Sequence, residues 1–262
     1  MKQILILLFF ICVVLSCRKN IDTFTPNVDG DTTKLISITN DSINFSYSYT
    51  NNRMTDIYIH YINSPDSNHY AHLDYSDNYI KVSDLQGLNY TEYFLTDLKL
   101  PLKIVKYSDY SINPETINFF YKPGTNLLDS VNDIHAQNTY AHYELNYDGE
   151  NIIEIKQFIN SLESDFSYSY DTSTPNIFRQ TDSLLYVYTN PFGGVGGGGI
   201  VGSDFFGYFP KLFSASTFKT VTYRVAEGAP NLTDTLNYTL NNKGKISSEG
   251  YNSNLVINYF YQ

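Results

Sequence analysis

The strongest constraint on this chain is a period of two. The pentapeptide FSYSY occurs at residues 45–49 and again at 166–170. In an extended strand successive side chains point to opposite faces. Phe45, Tyr47 and Tyr49 therefore share one face while Ser46 and Ser48 share the other, and Phe166, Tyr168 and Tyr170 stand against Ser167 and Ser169 in the same way. From Lys34 onward the texture persists: short runs in which apolar and aromatic residues alternate with Ser, Thr, Asn and Asp, each closed by turn residues.

Looser copies of the pattern recur. YSYTNNRMTDIYIHY covers 47–61, YAHLDYSDNYIKV 70–82, FFYKPGTNLLDSV 119–131, YELNYDGENIIEI 143–155 and LNYTLNNKGKISS 236–248. Asp148-Gly149 and Lys243-Gly244 put glycine where a hairpin turn needs positive φ, and Pro123-Gly124 suits a turn with proline second. Asn51-Asn52-Arg53 fills the same place without glycine. Each unit is one hairpin long, so residues 34–262 are expected to form an all-β domain, a twisted antiparallel sheet of successive β-hairpins. The 25 tyrosines and 17 phenylalanines suit such a sheet, because a Tyr ring packs across strands while its hydroxyl reaches water. They also suit an exposed platform on which a sugar or a partner protein stacks, although the chain has no Trp, the best stacking surface.

Tyr-x-Tyr strands, Asn/Asp/Gly turns and a following Ile/Val strand resemble the YD-repeat (RHS-like) sheet. More closely, the chain is similar to a family of Bacteroidota lipoproteins whose C-terminal half carries such units. The likeness rests on YSYDTSTPNIF (168–178) and on the run from KLFSASTFKTVTYR (211–224) to INYFYQ (257–262). The resemblance implies a strongly twisted antiparallel sheet and carries over no particular enzymatic activity.

The N-terminus points to an envelope address. Lys2 is followed by twelve apolar residues, Ile4–Leu15, a length that suits a signal-peptide core and falls short of the roughly 20 needed to span a bilayer as a helix. Val14-Leu15-Ser16-Cys17 resembles the bacterial lipobox, which implies cleavage before Cys17 and a lipid on its sulfur. Residues 1–16 are thus expected to be a lipoprotein signal peptide, and the polar stretch 17–33 a flexible tether. Beyond Cys17 there is no cysteine, so the folded part has no disulfide and no thiolate metal site. Removing residues 1–16 leaves 16 basic against 27 acidic side chains, a formal charge of −11. That charge repels phosphate backbones and excludes nucleic acid as the expected partner.

Between the repeats, FRQTDSLLYVY (178–188) has an ambiguous period that fits a short helix or a strand. Seven of the ten residues from Gly193 to Gly202 are glycine, which reads as an inserted loop. Phe205, Phe206, Tyr208 and Phe209 follow it; they are the candidate binding residues if the rings stand exposed beside a mobile backbone, and core residues if they fold back while the glycines merely span a gap.

Catalytic signatures are not found. Gly194-x-Gly196-x-x-Gly199 matches a dinucleotide fingerprint only because glycine is so dense there, with no βαβ pattern around it. No Gly-x-Ser-x-Gly elbow is present. The acidic residues are scattered, and no carboxylate pair stands out. Of His60, His69, His72, His135 and His142, the pair His69/His72 lies beside Asp66 and Asp74. A spacing of three in a strand points those rings to opposite faces, so no metal site is expected, nor any cofactor. The reading is a lipid-anchored cell-envelope protein with a non-catalytic binding or structural role. It would sit on the periplasmic face or the outer surface of the outer membrane, held by its N-terminal lipid, with a protein or glycan as partner. A hydrolase of envelope or other polysaccharides is the alternative.

Overall fold

The computed structural model describes residues 34–109, 111–135, 138–159, 162–176, 187, 213–214, 216–224, 230–250 and 256–262. Seventeen strands lie among them: β1 Leu35–Thr39, β2 Ile43–Thr50, β3 Arg53–Tyr61, β4 His69–Ser76, β5 Tyr79–Ser83 and β6 Tyr90–Leu95. Then come β7 Pro101–Tyr107, β8 Glu115–Tyr121, β9 Leu128–His135, β10 Asn138–Asp148, β11 Asn151–Ile159 and β12 Leu162–Pro175. The last five are β13 Ser216–Arg224, β14 Leu232–Thr235, β15 Asn237–Leu240, β16 Ile246–Gly250 and β17 Val256–Tyr261. Every expected hairpin unit falls on two consecutive strands. The segments 178–188 and 193–202 lie outside the described residues, Val187 excepted.

All pairings are antiparallel and join sequence neighbours, with one exception: β1 pairs with β2 on one side and with β17 on the other. That exception bends the sheet into a ring, which the hairpin pattern alone did not predict. The closure continues past the strands, where Lys34 and Gln262 exchange backbone hydrogen bonds of 3.1 and 2.8 Å. β14 and β15 are one stave interrupted at Leu236. Its first half pairs with β13 and its second half with β16, so the sheet is handed from one neighbour to the other at that residue.

The turns explain how short loops make this ring. Thr125 N–H donates to Lys122 O (3.1 Å) across Pro123-Gly124, and Gly124 sits at φ +71°, a turn conformation that glycine adopts without strain. At the β2–β3 turn Asn51 and Asn52 both take positive φ, +51° and +63°. Asparagine tolerates that region better than other residues with a side chain, so this two-residue turn forms without glycine.

One face of the sheet is buried around the whole ring, and it is therefore the inside. Ile38, Ile57, Val82, Leu128, Val131, Ile155 and Ile257 have no exposed surface, and Phe45, Tyr47, Phe166 and Tyr168 are buried among them. Ser46, Ser48, Ser167 and Ser169 face outward, as the alternation in FSYSY requires. The outer wall carries His72, Asp74, Lys81, Glu92, Lys103, Glu144 and Lys156, with isolated apolar residues such as Tyr58, Phe120 and Phe260 among them. A round barrel of about sixteen strands encloses an aqueous channel. Here the inner-face side chains of the described strands are buried, as in a packed core.

The two ends of the ring differ. At the end that carries Lys34 and Gln262, a tyrosine closes the inner face of six strands: Tyr49, Tyr75, Tyr121, Tyr147, Tyr170 and Tyr261. Tyr49 donates its hydroxyl to Leu35 O (2.7 Å) and Tyr121 to Pro101 O (2.6 Å), and Tyr170 donates to Ile152 O. In each case the acceptor lies at the start of the preceding strand. Basic groups lie over four of these rings: Lys34 over Tyr49, Arg53 over Tyr75, Lys122 over Tyr147 and Lys245 over Tyr261, at 4.8–5.9 Å from the ring centres. The β12–β13 connection leaves from this same end. Its flanks are tied down where Asn176 Nδ2 donates to Ser214 O (2.7 Å), Ile152 N–H donates to Ser214 Oγ (3.0 Å), and the Phe213 ring meets Tyr121 edge-on.

Candidate functional site

The opposite end of the ring holds the most chemically active group among the described residues. Alternation on β9 puts Val131, Asp133 and His135 on the inner face, and Val131 and Asp133 are both buried. Asp133 pairs with Ile117 of β8 and with Ala141 of β10. Two residues before Ile117 on the same face stands Glu115, and Lys106 of β7 is its cross-strand partner. Three adjacent strands thus aim an ammonium, two carboxylates and an imidazole into one corner of the interior.

Their separations are short. His135 Nε2 lies 3.1 Å from Asp133 Oδ1 and 3.6 Å from Glu115 Oε1, and Lys106 Nζ lies 3.6 Å from Glu115 Oε2. Asp133 is 1% exposed, and among the described residues no donor other than the His135 imidazole meets its oxygens. Burial, reinforced by the charge of Glu115, pushes the Asp133 carboxyl up to about 6 against the opposing influence of His135 and Lys106. Tyr143, fully buried one strand away, accepts a hydrogen bond from Gln157 Nε2 (3.2 Å), and burial raises its phenol well above the ordinary range. The His135 ring, partly open to solvent, stacks on Tyr140 with centres 4.6 Å apart. The corner is therefore deep at Asp133 and open at His135.

The sequence contained a signal for this group. Asp133-x-His135 places both residues on one face, and Val131 marks that face as the buried one. The closest histidine pair in the sequence, His69/His72, is not part of the group. Those two do stand on opposite faces of β4. The His69 ring meets Tyr61 edge-on from the inner side, whereas His72 lies on the outer wall with Nδ1 2.8 Å from Asp56 Oδ1. Hydrogen bonding to Asp56 raises the His72 imidazole pKa, although partial burial opposes it. Burial works against the Asp56 charge, but hydrogen bonds from His72, Tyr70 and Thr55 prevail and hold its carboxyl below the usual range.

Cys17 and the four candidate binding residues Phe205, Phe206, Tyr208 and Phe209 lie outside the described residues. The outer-wall aromatics are described, and the best-developed group spans β5–β7. Tyr90 and Tyr107 stack at 4.3 Å, with Lys81 over the Tyr90 ring at 4.2 Å. Tyr79 meets Phe94 edge-on, its hydroxyl donates to Glu92 Oε1 (2.7 Å), and Lys103 lies over Phe94. These rings cover one another or lie under lysines, so they pack the wall and do not present a flat stacking face.

No family model matches the chain, and no curated protein matches it. Several solved structures share the fold, among them two porin-like proteins. One is a porin-like protein from Bacteroides uniformis ATCC 8492, at a TM-score of 0.56 and 14% identity, covering 87% of this chain and 98% of the other. The second is a porin-like protein from Bacteroides vulgatus ATCC 8482, at a TM-score of 0.53 and 11% identity with the same coverages. At such identities the likeness is one of fold: this chain is an all-β antiparallel ring similar to those of porin-like Bacteroides proteins.

Proposed function

We propose that the protein is a lipid-anchored envelope protein with a non-catalytic binding or structural role, and that its ring is a filled domain standing in water. The observation that carries this reading is the distribution of side chains across the wall. A porin wall is apolar outside, where it meets lipid, and polar inside, where it lines a channel. This wall has the reverse arrangement, with an apolar packed interior and Ser, His, Asp, Glu and Lys outside. Attachment then falls to the lipobox-like Val14-Leu15-Ser16-Cys17, and the porin-like relatives in fold support an envelope address.

The hydrolase alternative gains one observation, the adjacent carboxylates of Glu115 and Asp133. A general acid must touch its substrate. Asp133 is 1% exposed and cannot, so the pair does not favour hydrolysis. The test is twofold. Purified protein added to planar bilayers should give no conductance steps, and Cys17→Ser should move the protein from the membrane to the soluble fraction and abolish palmitate-analogue labelling. Reproducible channels would overturn the filled-domain reading. Unchanged fractionation and labelling of Cys17→Ser would overturn the anchor.

A further inference from the structure

We infer that Glu115, Asp133 and His135 form a binding site for one divalent transition-metal ion of the zinc class at the end of the ring opposite Lys34 and Gln262. Two independent observations point there. The three ligand-bearing atoms all lie within 4.8 Å of one another, the only such group of three among the described residues. At the centre of the group is a carboxylate that is 1% exposed and whose one close donor is the His135 nitrogen, itself a member of the group. A carboxylate in that position calls for a cation.

Geometry selects the kind of cation. Ligands held at about 2.0–2.1 Å around a tetrahedral zinc are roughly 3.4 Å apart. The His135–Asp133 and His135–Glu115 separations, 3.1 and 3.6 Å, bracket that value, and the third, between Asp133 and Glu115, is within 4.8 Å. One imidazole and two carboxylates form a nitrogen-and-oxygen set that suits zinc and its neighbours, whereas magnesium and calcium prefer oxygen alone. For His135 to bind through Nε2 its proton must sit on Nδ1. Lys106 approaches the other oxygen of Glu115, Oε2, and leaves Oε1 directed at the centre. The three strands are held rigidly by ladders on both sides, β7 to β8 to β9 to β10, so the site is preorganised. The His135 and Tyr140 side chains are partly exposed and mark the side of the site nearest solvent. Three protein ligands leave a fourth position for water or for an oxygen of a partner.

The competing arrangement is a plain ion pair of a protonated His135 with the two carboxylates. Titration of chelator-treated protein with zinc distinguishes the two. One equivalent should bind by calorimetry and raise the melting temperature, and cobalt should give the visible absorption of a four-coordinate site. His135→Ala and Glu115→Gln, both at half-buried positions, should each weaken binding by roughly tenfold or more, at least the loss that follows removal of an outer-shell partner. Asp133→Asn should do the same while keeping its volume, with circular dichroism showing each variant folded. His72→Ala, which removes the outer-wall imidazole beside Asp56 and Asp74, should bind like the parent. Absence of zinc binding in the parent would overturn the inference. So would binding that survives all three substitutions, or binding lost only in His72→Ala.

Discussion

Truncating the tyrosine in the middle of each FSYSY copy tests the fold where the sequence was most explicit. Tyr47 and Tyr168 are each 7% exposed and lie on the inner face of strands far apart in the ring. A tyrosine side chain buries roughly 150 Å². At about 25 cal/mol per Å² that is ~4 kcal/mol, and a compact unfolded chain lowers the figure to ~3 kcal/mol. The range of about 3–5 kcal/mol for removing a buried Phe or Trp side chain agrees. Tyr47→Ala and Tyr168→Ala should therefore each cost about 3 kcal/mol, and because β2 and β12 are not neighbours the double variant should lose about 6. Ser167→Thr, on the outer wall one residue away, should be neutral or slightly stabilising, since Thr suits strands. Urea unfolding followed by far-ultraviolet circular dichroism reads all four. With a slope of about 3 kcal/mol/M the tyrosine variants shift their midpoints by roughly 1 M. Equal midpoints for Tyr168→Ala and Ser167→Thr would refute the assignment of inner and outer faces.

Three further outcomes follow from the same geometry. Asn52→Gly should stabilise the β2–β3 hairpin by a few tenths of a kcal/mol, because φ +63° costs glycine nothing and Asn-Gly is the preferred type I′ pair; a lower melting temperature would contradict the turn. Gly124→Ala should destabilise by about 1 kcal/mol through backbone strain alone, since a Cβ there meets no atom within 4 Å; an unchanged denaturant midpoint would argue against the φ +71° turn. The hydrogen bond with Asp56 raises His72 above its ordinary 6.5, so its contribution is complete below that pH and fades as pH rises through the raised value. Stability should fall by less than about 1 kcal/mol over that window, given the exposure of the pair. His72→Gln should remove the slope, and a slope that persists in His72→Gln would assign it elsewhere.

The strands and turns were legible because each rests on local rules: alternation, and the few residues that accept positive φ. The repeated tyrosine also has a local signature, since Tyr49 and Tyr170 end FSYSY on the buried parity. Its meaning is not local. Only the ring shows that such tyrosines gather at one end and that Tyr49, Tyr121 and Tyr170 reach the start of the preceding strand. Closure was illegible for the same reason, because nothing within β1 or β17 says that Ile38 will face Tyr259. The corner at Asp133 lies between these cases. The i,i+2 spacing of Asp133 and His135 was readable, but Glu115 joins them only through the β8–β9 register.

The pairing of β1 with β17 has a consequence for the order in which the chain can complete its fold. Every other ladder joins neighbours in sequence and can form as soon as its two strands exist. β1 gains its second partner only when residues 256–261 are in place, more than two hundred residues later. Until then both margins of the growing sheet present unsatisfied backbone groups, the condition under which strands recruit other chains. Loop closure over that span is entropically the most distant contact in the domain and should be among the last to form. A chain cut short before Val256 would thus lose more than one strand: it would leave β1 as a permanent free edge, the form of this protein most prone to aggregate.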